Sequence, residues 1–311
     1  MDILFTTVIP IFALIGCGFL AGKLKFLGPE STKALSGFVY MFALPGLLIL
    51  SIGNSPITEI LNGNFFAAYS LGMVIVWGIS AIVSVIIFRD NIEIGTIRAV
   101  NSTYGNTGYL GIPLGIAIFG EIAIVPASIS VAINAFLIIP MAAIFIEVAR
   151  NSGRGFASIT FRTLKTLLVN PIVLSVLIGF LLSLSEVSIP SFIEEFLDIL
   201  GGAAGPCALF AIGLFVSQAA ISRLLLRLAL LSIVKLLFFP VIVWFLVTWV
   251  FPLDLVWGSM AVLMAATPLG ATAFVISERY KVSVEESSAA VVVTTGFSVF
   301  TLSIIIMLLT S

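Results

Sequence analysis

Residues 101–115 read Asn-Ser-Thr-Tyr-Gly-Asn-Thr-Gly-Tyr-Leu-Gly-Ile-Pro-Leu-Gly, a crowd of small and hydrogen-bonding residues in a chain that is 60% hydrophobic and only 9% charged. Amides, hydroxyls and a freed backbone can hold a solute, but they supply neither a nucleophile–base pair nor a metal site. The 311 residues contain no histidine, which removes His-dependent catalysis, bis-histidine haem and most zinc sites. Cys17 and Cys207 lie inside apolar runs without metal-ligand spacing and read as small core hydrophobes. No pair of Asp residues sits deep in an apolar run. The chain is therefore expected not to be an enzyme, with no cofactor and no metal.

The elements that must position this stretch follow from hydropathy. Soluble domains carry about 25% charged residues, and the mean hydropathy here is +1.27. The composition belongs to an all-α polytopic membrane protein. Apolar runs of about 20 residues cross a ~30 Å hydrocarbon core. Ten occur, at roughly 3–22, 34–52, 64–88, 99–119, 122–147, 167–185, 196–218, 228–251, 255–276 and 287–309. The first has only Asp2 before it and Lys23 and Lys25 after it, the reverse of a secretory signal, and is expected to be a retained helix.

Thirteen of the fourteen basic residues fall on one side of this layout: Lys23, Lys25, Lys33, Arg89, Arg98, Arg150, Arg154, Arg162, Lys165, Arg223, Arg227, Arg279 and Lys281. The opposite side holds only acids, among them Glu59, Glu121, Glu194, Glu195 and Asp254. The positive-inside rule places the basic loops in the cytoplasm and both termini outside. No nucleic-acid motif accompanies the basic side, so nucleic acid is not an expected partner.

The chain also repeats itself. Val8–Leu20 and Val169–Leu181 match at six of thirteen positions at an offset of 161, including Pro10/Pro171 and Gly18/Gly179. The same offset pairs Pro45 with Pro206, and a slightly shorter one pairs Pro113-Leu-Gly115 with Pro268-Leu-Gly270. Each half holds five spans, an odd number, so the halves enter the membrane from opposite sides: a five-plus-five inverted-topology repeat. The expected division is 1–148 for the first repeat, 149–166 for a short cytoplasmic linker and 167–311 for the second.

The opening stretch is then the middle of span 4, and its repeat mate is Ala265-Ala-Thr-Pro-Leu-Gly-Ala-Thr272 in span 9. Pro113 and Pro268 each lack an amide donor and are expected to break their helices. Backbone groups freed at membrane depth survive only against protein or in a wet cavity, and a half-helix beginning near each proline turns its positive dipole end inward, where an anion can bind. Matched interruptions of this kind point to a substrate site. The expected site residues are Asn101, Thr103, Tyr104, Asn106, Thr107, Gly108 and Pro113 in span 4, and Thr267, Pro268 and Thr272 in span 9. Pro45 and Pro206 read as structural hinges. Lys235 is the one basic residue inside a span, about 12 Å past Arg227 at 1.5 Å per residue. It is an anion contact, a tether for the carbonyls of a broken helix, or a cation snorkelling to the cytoplasm.

Asn106-Thr-Gly-Tyr-Leu-Gly-Ile-Pro113, Lys235-Leu-Leu-Phe-Phe-Pro240, Ala204–Gly213 and Ala266-Thr-Pro268, in this order and over ten spans, resemble the auxin efflux carrier family over essentially the full length. The resemblance implies a fold similar to the bile-acid sodium symporters, with spans 4 and 9 crossing at their broken points beside the substrate. It further implies an elevator-like cycle and organic-anion substrates, auxin in plants and malate or malonate in bacteria. The short linker suits a compact prokaryotic-type member in a cell inner membrane. Related folds pair two carriers, which implies a homodimer; coupling to Na+ or H+ stays open. The alternatives are a drug/metabolite-type carrier of a non-anionic solute, which would not need the proline-centred breaks, and a membrane sensor without flux.

Asn134 and Thr294-Thr295 read as interhelical hydrogen-bonding groups. Ser191–Leu200 reads either as an interfacial helix or as an extension of span 7.

Overall fold

The computed structural model of the chain describes residues 9–150, 169–185, 187–218 and 225–310. Most of the expected linker lies outside them. The described residues are helical: α1 (Ile9–Lys23), α2 (Pro29–Gly53), α3 (Gly63–Ile86), α4 (Ile92–Thr103), α5 (Thr107–Phe119), α6 (Glu121–Ala149), α7 (Pro171–Ser185), α8 (Ser191–Gly202), α9 (Ala204–Gln218), α10 (Leu226–Val250), α11 (Leu255–Ala266), α12 (Ala271–Tyr280) and α13 (Val284–Thr310). Among the described residues, six helical runs are long and apolar enough to cross a membrane: α2, α3, α6, α8 with α9, α10 and α13. The other four expected spans correspond to shorter apolar helices, α1, α5, α7 and α11.

Prolines set the fine structure. Helices α2 and α7 begin on Pro29 and Pro171, where the missing N–H is one the helix would not use. Inside the long helices the solution differs. The π-helical turns Val39–Ala43, Thr107–Gly111, Asn134–Ile138, Val234–Phe238 and Leu246–Val250 each end two residues before a proline: Pro45, Pro113, Pro140, Pro240 and Pro252. A proline ring collides with the carbonyl four residues back and cannot bond to it. Widening the preceding turn moves that carbonyl away, and within such a turn the bonds run five residues back, as when the Leu44 N–H donates to the Val39 carbonyl.

The contacts divide the chain into two units. The first contains the described residues within Met1–Gly63, Thr107–Ala132 and Val169–Ala219. In it α1 packs along α9, and α7 packs along the second half of α2. Both contacts are close because of glycine: a Cβ on Gly18 would lie 2.1 Å from the Phe210 carbonyl oxygen, and one on Gly179 would lie 2.8 Å from the Ile52 Cβ. Helix α8 packs on α2 through Leu197 and Gly201, leaving Phe192, Phe196 and Ile199 exposed. It leads into α9 through the single turn at Ala203, so Ser191–Leu200 extends span 7. Cys17 is on an exposed face of α1 and not in a core.

The second unit contains the described residues within Asn64–Asn106, Ile133–Leu168 and Ala220–Ser311. Its core joins α3, α10 and α11 through Phe65, Tyr69 and Met73, with Phe65 edge-on to Trp257 at 5.1 Å and Tyr69 tilted against Phe239 at 6.1 Å. Every residue from Gly258 to Ala266 in α11 is buried, and so is every residue from Gly95 to Thr103 in α4. For α11 this follows from an apolar sequence. For α4 it does not: Thr96, Arg98, Asn101, Ser102 and Thr103 are buried with it, and each must find a partner.

Candidate functional site

Within the second unit, the interruption between α4 and α5 and the one between α11 and α12 lie side by side. Gly105 and Leu269 form an isolated antiparallel bridge. The Asn106 N–H donates to the Pro268 carbonyl at 2.7 Å, and the Gly270 N–H donates to the Tyr104 carbonyl at 3.0 Å. Two broken helices thus supply each other's backbone partners in a segment that is buried except at the half-buried Tyr104. Gly270 is required for this approach, since a Cβ there would sit 2.9 Å from the Gly105 carbonyl oxygen and 3.2 Å from its carbon.

The remaining backbone groups of the second interruption can be followed individually. A helical carbonyl normally receives the N–H four residues on. For Met264 that residue is Pro268, which has none, and the Thr267 hydroxyl donates instead at 2.7 Å. The natural partner of the Ala265 carbonyl is the Leu269 N–H, which is diverted to the Thr294 hydroxyl oxygen at 3.1 Å. Lys235 replaces it, its Nζ donating to the Ala265 carbonyl at 2.6 Å. Lys235 is fully buried, with its ammonium 5.0 Å from the centre of the Phe239 ring. Of the three roles open to it in the sequence, this hydrogen bond makes the tether.

In the first interruption the Tyr104 N–H still reaches Val100 at 2.8 Å, and the Thr103 hydroxyl donates to Ala99 at 2.7 Å. The break spans Tyr104–Asn106 and does not begin at Pro113 as expected. Pro113 lies one turn inside α5, because the π-turn Thr107–Gly111 absorbs its missing donor. Pro268, by contrast, sits within its break.

The expected site residues therefore divide. Asn101, Thr103, Tyr104, Asn106, Lys235, Thr267, Pro268 and Thr272 all belong to the second unit, at or near the bridged interruptions. Thr107, Gly108, Pro113, Pro45 and Pro206 belong to the first. There Pro45 follows a π-turn in α2, Pro206 follows the Ala203 turn, and Pro113 packs 3.5 Å from where a Gly205 Cβ would be. The Asn106 amide makes no hydrogen bond to a described residue, and Thr272 is half-buried in the first turn of α12. Asn101 gives its amide N–H to Ser287 at 2.9 Å, while its buried Oδ1 has no partner among the described residues.

One group reads differently in sequence and in space. Arg98, counted above among loop charges, is a buried residue of α4. Its Nε and Nη2 clasp both oxygens of Glu286 at 2.9 and 3.1 Å, and its Nη1 meets Asp90 and Ser84. With Asn101–Ser287 and Thr294–Leu269, this makes α13 a strut that bonds to α4 and to the second interruption. Tyr69, fully buried beside Asn134 and Tyr104, is a further polar neighbour of the first interruption that its apolar setting concealed.

The arrangement can present amide and hydroxyl groups to a solute from a rigid, internally bonded backbone crossing. Among the described residues no cluster of His, Cys, Asp or Glu could hold a metal ion. Comparison with known proteins fits this picture. The model of a family described as membrane transport proteins matches residues 3–306. A protein of Rhizobium meliloti (strain 1021) named "Putative malonate transporter" is 26% identical over 304 residues, covering 98% of this chain and 95% of that protein. The "Lysosomal cholesterol signaling protein" of Mus musculus is 25% identical over 224 residues, 68% of this chain but only 26% of the mouse protein's length.

Proposed function

Because this chain belongs to the membrane transport protein family, of the auxin efflux carrier type, we propose that it is a secondary carrier of small organic anions. Dicarboxylates such as malonate and malate are the first candidates. The observation that carries the reading is the pair of interrupted helices bonded backbone to backbone in a buried segment, with the Asn106 amide left over. Interrupted helices in corresponding places of two halves are where carriers bind their solutes. The name of the Rhizobium relative favours malonate among the anions.

The finer architecture belongs to the same proposal. Ten spans form a five-plus-five inverted repeat, with both termini outside and the basic loops in the cytoplasm. One observation supports the repeat. Gly18 and Gly179, identical in the internal alignment, each sit at a close helix contact, span 1 against span 7 and span 6 against span 2. These two pairs exchange under the repeat. The division into two units, each drawn from both halves, supports alternating access of the elevator type, with the unit that holds the bridged interruptions carrying the solute.

A second reading, a membrane sensor without flux, is favoured by the similarity to a mouse protein named for cholesterol signaling. Purified protein in sealed vesicles separates the two. Uptake is measured for malonate, malate, other carboxylates, indole-3-acetate and a neutral solute set, with and without sodium and pH gradients. Saturable carboxylate uptake is expected. Flux of a neutral or cationic solute without carboxylate flux overturns the anion assignment, and no flux of any solute favours the sensor.

A further inference from the structure

The second unit has a cavity of about 130 Å³ bordered by residues of α3, α4, α10 and α13, none of them in the bridged interruptions themselves. Its walls are mainly apolar, Val83, Leu230, Leu231 and Val234, and one end is charged, with Arg98, Glu286 and Arg227 beside Phe88. The charges at that end are unequally engaged. Arg98 makes four hydrogen bonds, to Glu286, Asp90 and Ser84. Both carboxylates are held by it and their side chains are almost wholly buried.

Arg227 differs. It makes no hydrogen bond to a described residue. Its contacts are the Phe88 ring, 5.5 Å from the guanidinium carbon to the centroid, and Asp90, 3.9 Å away and already bonded to Arg98. Its side chain is 36% exposed. Arg89, next to Phe88, is exposed as well. Two guanidinium groups thus meet two carboxylates, and of the two it is Arg227 that keeps its donors unbonded beside an apolar slot. Leu226, Leu230 and Ile233 continue the exposed apolar surface of α10 beside it.

We propose that this cavity is a binding site for an anionic phospholipid of the leaflet on the basic side, its headgroup oxyanion on Arg227 and its hydrocarbon along Val83, Leu230, Leu231 and Val234. Three features select that occupant. A guanidinium offers a planar fork of donors that matches phosphate oxygens. Basic pockets between spanning helices on the cytoplasmic side are where anionic headgroups bind. The slot adjoins the exposed apolar side chains of α10, which a freely soluble anion would not need. Lipid there braces the Arg98 network, and through α13 the second interruption. The site is independent of what the chain carries.

The test is thermal unfolding of the purified full chain in detergent, titrated with phosphatidylglycerol, phosphatidylcholine, sodium phosphate or sodium malonate. Phosphatidylglycerol is expected to raise the midpoint of the wild type by several degrees more than phosphatidylcholine, with the free anions giving no comparable shift. Arg227→Gln is expected to lose at least half of that difference, and Arg227→Lys to keep part of it. Leu230→Trp, which obstructs the apolar slot and leaves every charge in place, is expected to lose it too, and serves if Arg227→Gln fails to fold. Equal responses of wild type and variants, equal effects of the two lipids, or a matching shift with phosphate or malonate overturns the proposal.

Discussion

Thr294 and Thr295 are neighbours on α13, nearly identical in burial and chemistry, and only one of them touches the crossing. Both hydroxyls donate at 2.7 Å to a carbonyl four residues back, Ala290 for Thr294 and Val291 for Thr295. Thr294 alone also accepts the Leu269 N–H. Valine keeps the shape of threonine and removes the hydroxyl, so the two Thr→Val variants lose equivalent back-bonds and differ in one group. In Thr294→Val the Leu269 N–H is a buried donor with no acceptor, which costs about 1–3 kcal/mol. That corresponds to about a 5- to 150-fold change in the folding equilibrium at 1.4 kcal/mol per decade. Thr295→Val should fall within ±0.5 kcal/mol of the wild type, roughly the range of substitutions away from special features. Tryptophan fluorescence in detergent measures the midpoints, where 1 kcal/mol moves a domain of this size by about 2–4 °C. Thr294→Val should melt several degrees below Thr295→Val and transport more slowly at a temperature where both are folded. Equal midpoints and equal transport would refute the claim that α13 holds the second interruption through this bond.

Other substitutions probe the same frame from different sides. Gly270→Ala should lose at least about tenfold in uptake, because its Cβ meets backbone of the other interruption at 2.9 Å, whereas Gly296→Ala, with nothing within 4 Å of its Cβ, should leave uptake intact and add about 0.5–1 kcal/mol of helix stability. Gly18→Ala, whose Cβ would lie 2.1 Å from the Phe210 carbonyl oxygen, should lower the melting midpoint and the yield of folded protein, read by size-exclusion chromatography. Arg98→Met leaves Asp90 and Glu286 buried without their shared cation, a loss of about 3–5 kcal/mol; the double variant with Glu286→Gln should recover part of it, and no recovery would argue against the pairing.

What the sequence made legible was set by local signals. Apolar runs and charge sorting need no knowledge of contacts, and the described residues within those runs are mostly helical outside the two interruptions. The second interruption was legible because Pro268 removes the Met264 partner within one turn. The first was misplaced: Pro113 looked like the breaker, but a widened turn accommodates it, and the break falls at Gly105, where the other interruption supplies the hydrogen bonds. No local signal reports a partner more than 150 residues away. Arg98 was concealed for the same reason. Beside Arg89 it resembles a cytoplasmic charge, and its burial becomes visible only once Glu286, 188 residues later, is brought to it. Lys235 stood out as an isolated cation, but its bond to the Ala265 carbonyl becomes visible only once the Leu269 N–H is seen to be diverted.

The central claim is that the crossing of the interrupted helices holds the solute. Asn106 tests it most directly, because its backbone N–H builds the crossing while its side chain bonds to no described residue. Asn106→Ala therefore removes only a group offered to a ligand and keeps the Pro268 bond. Counterflow of radiolabelled malonate into vesicles preloaded with malonate compares wild type and variant without depending on a coupling ion. The account predicts saturable exchange by the wild type and at least a tenfold loss in a variant with an unchanged melting midpoint. Exchange by Asn106→Ala equal to that of the wild type would contradict it.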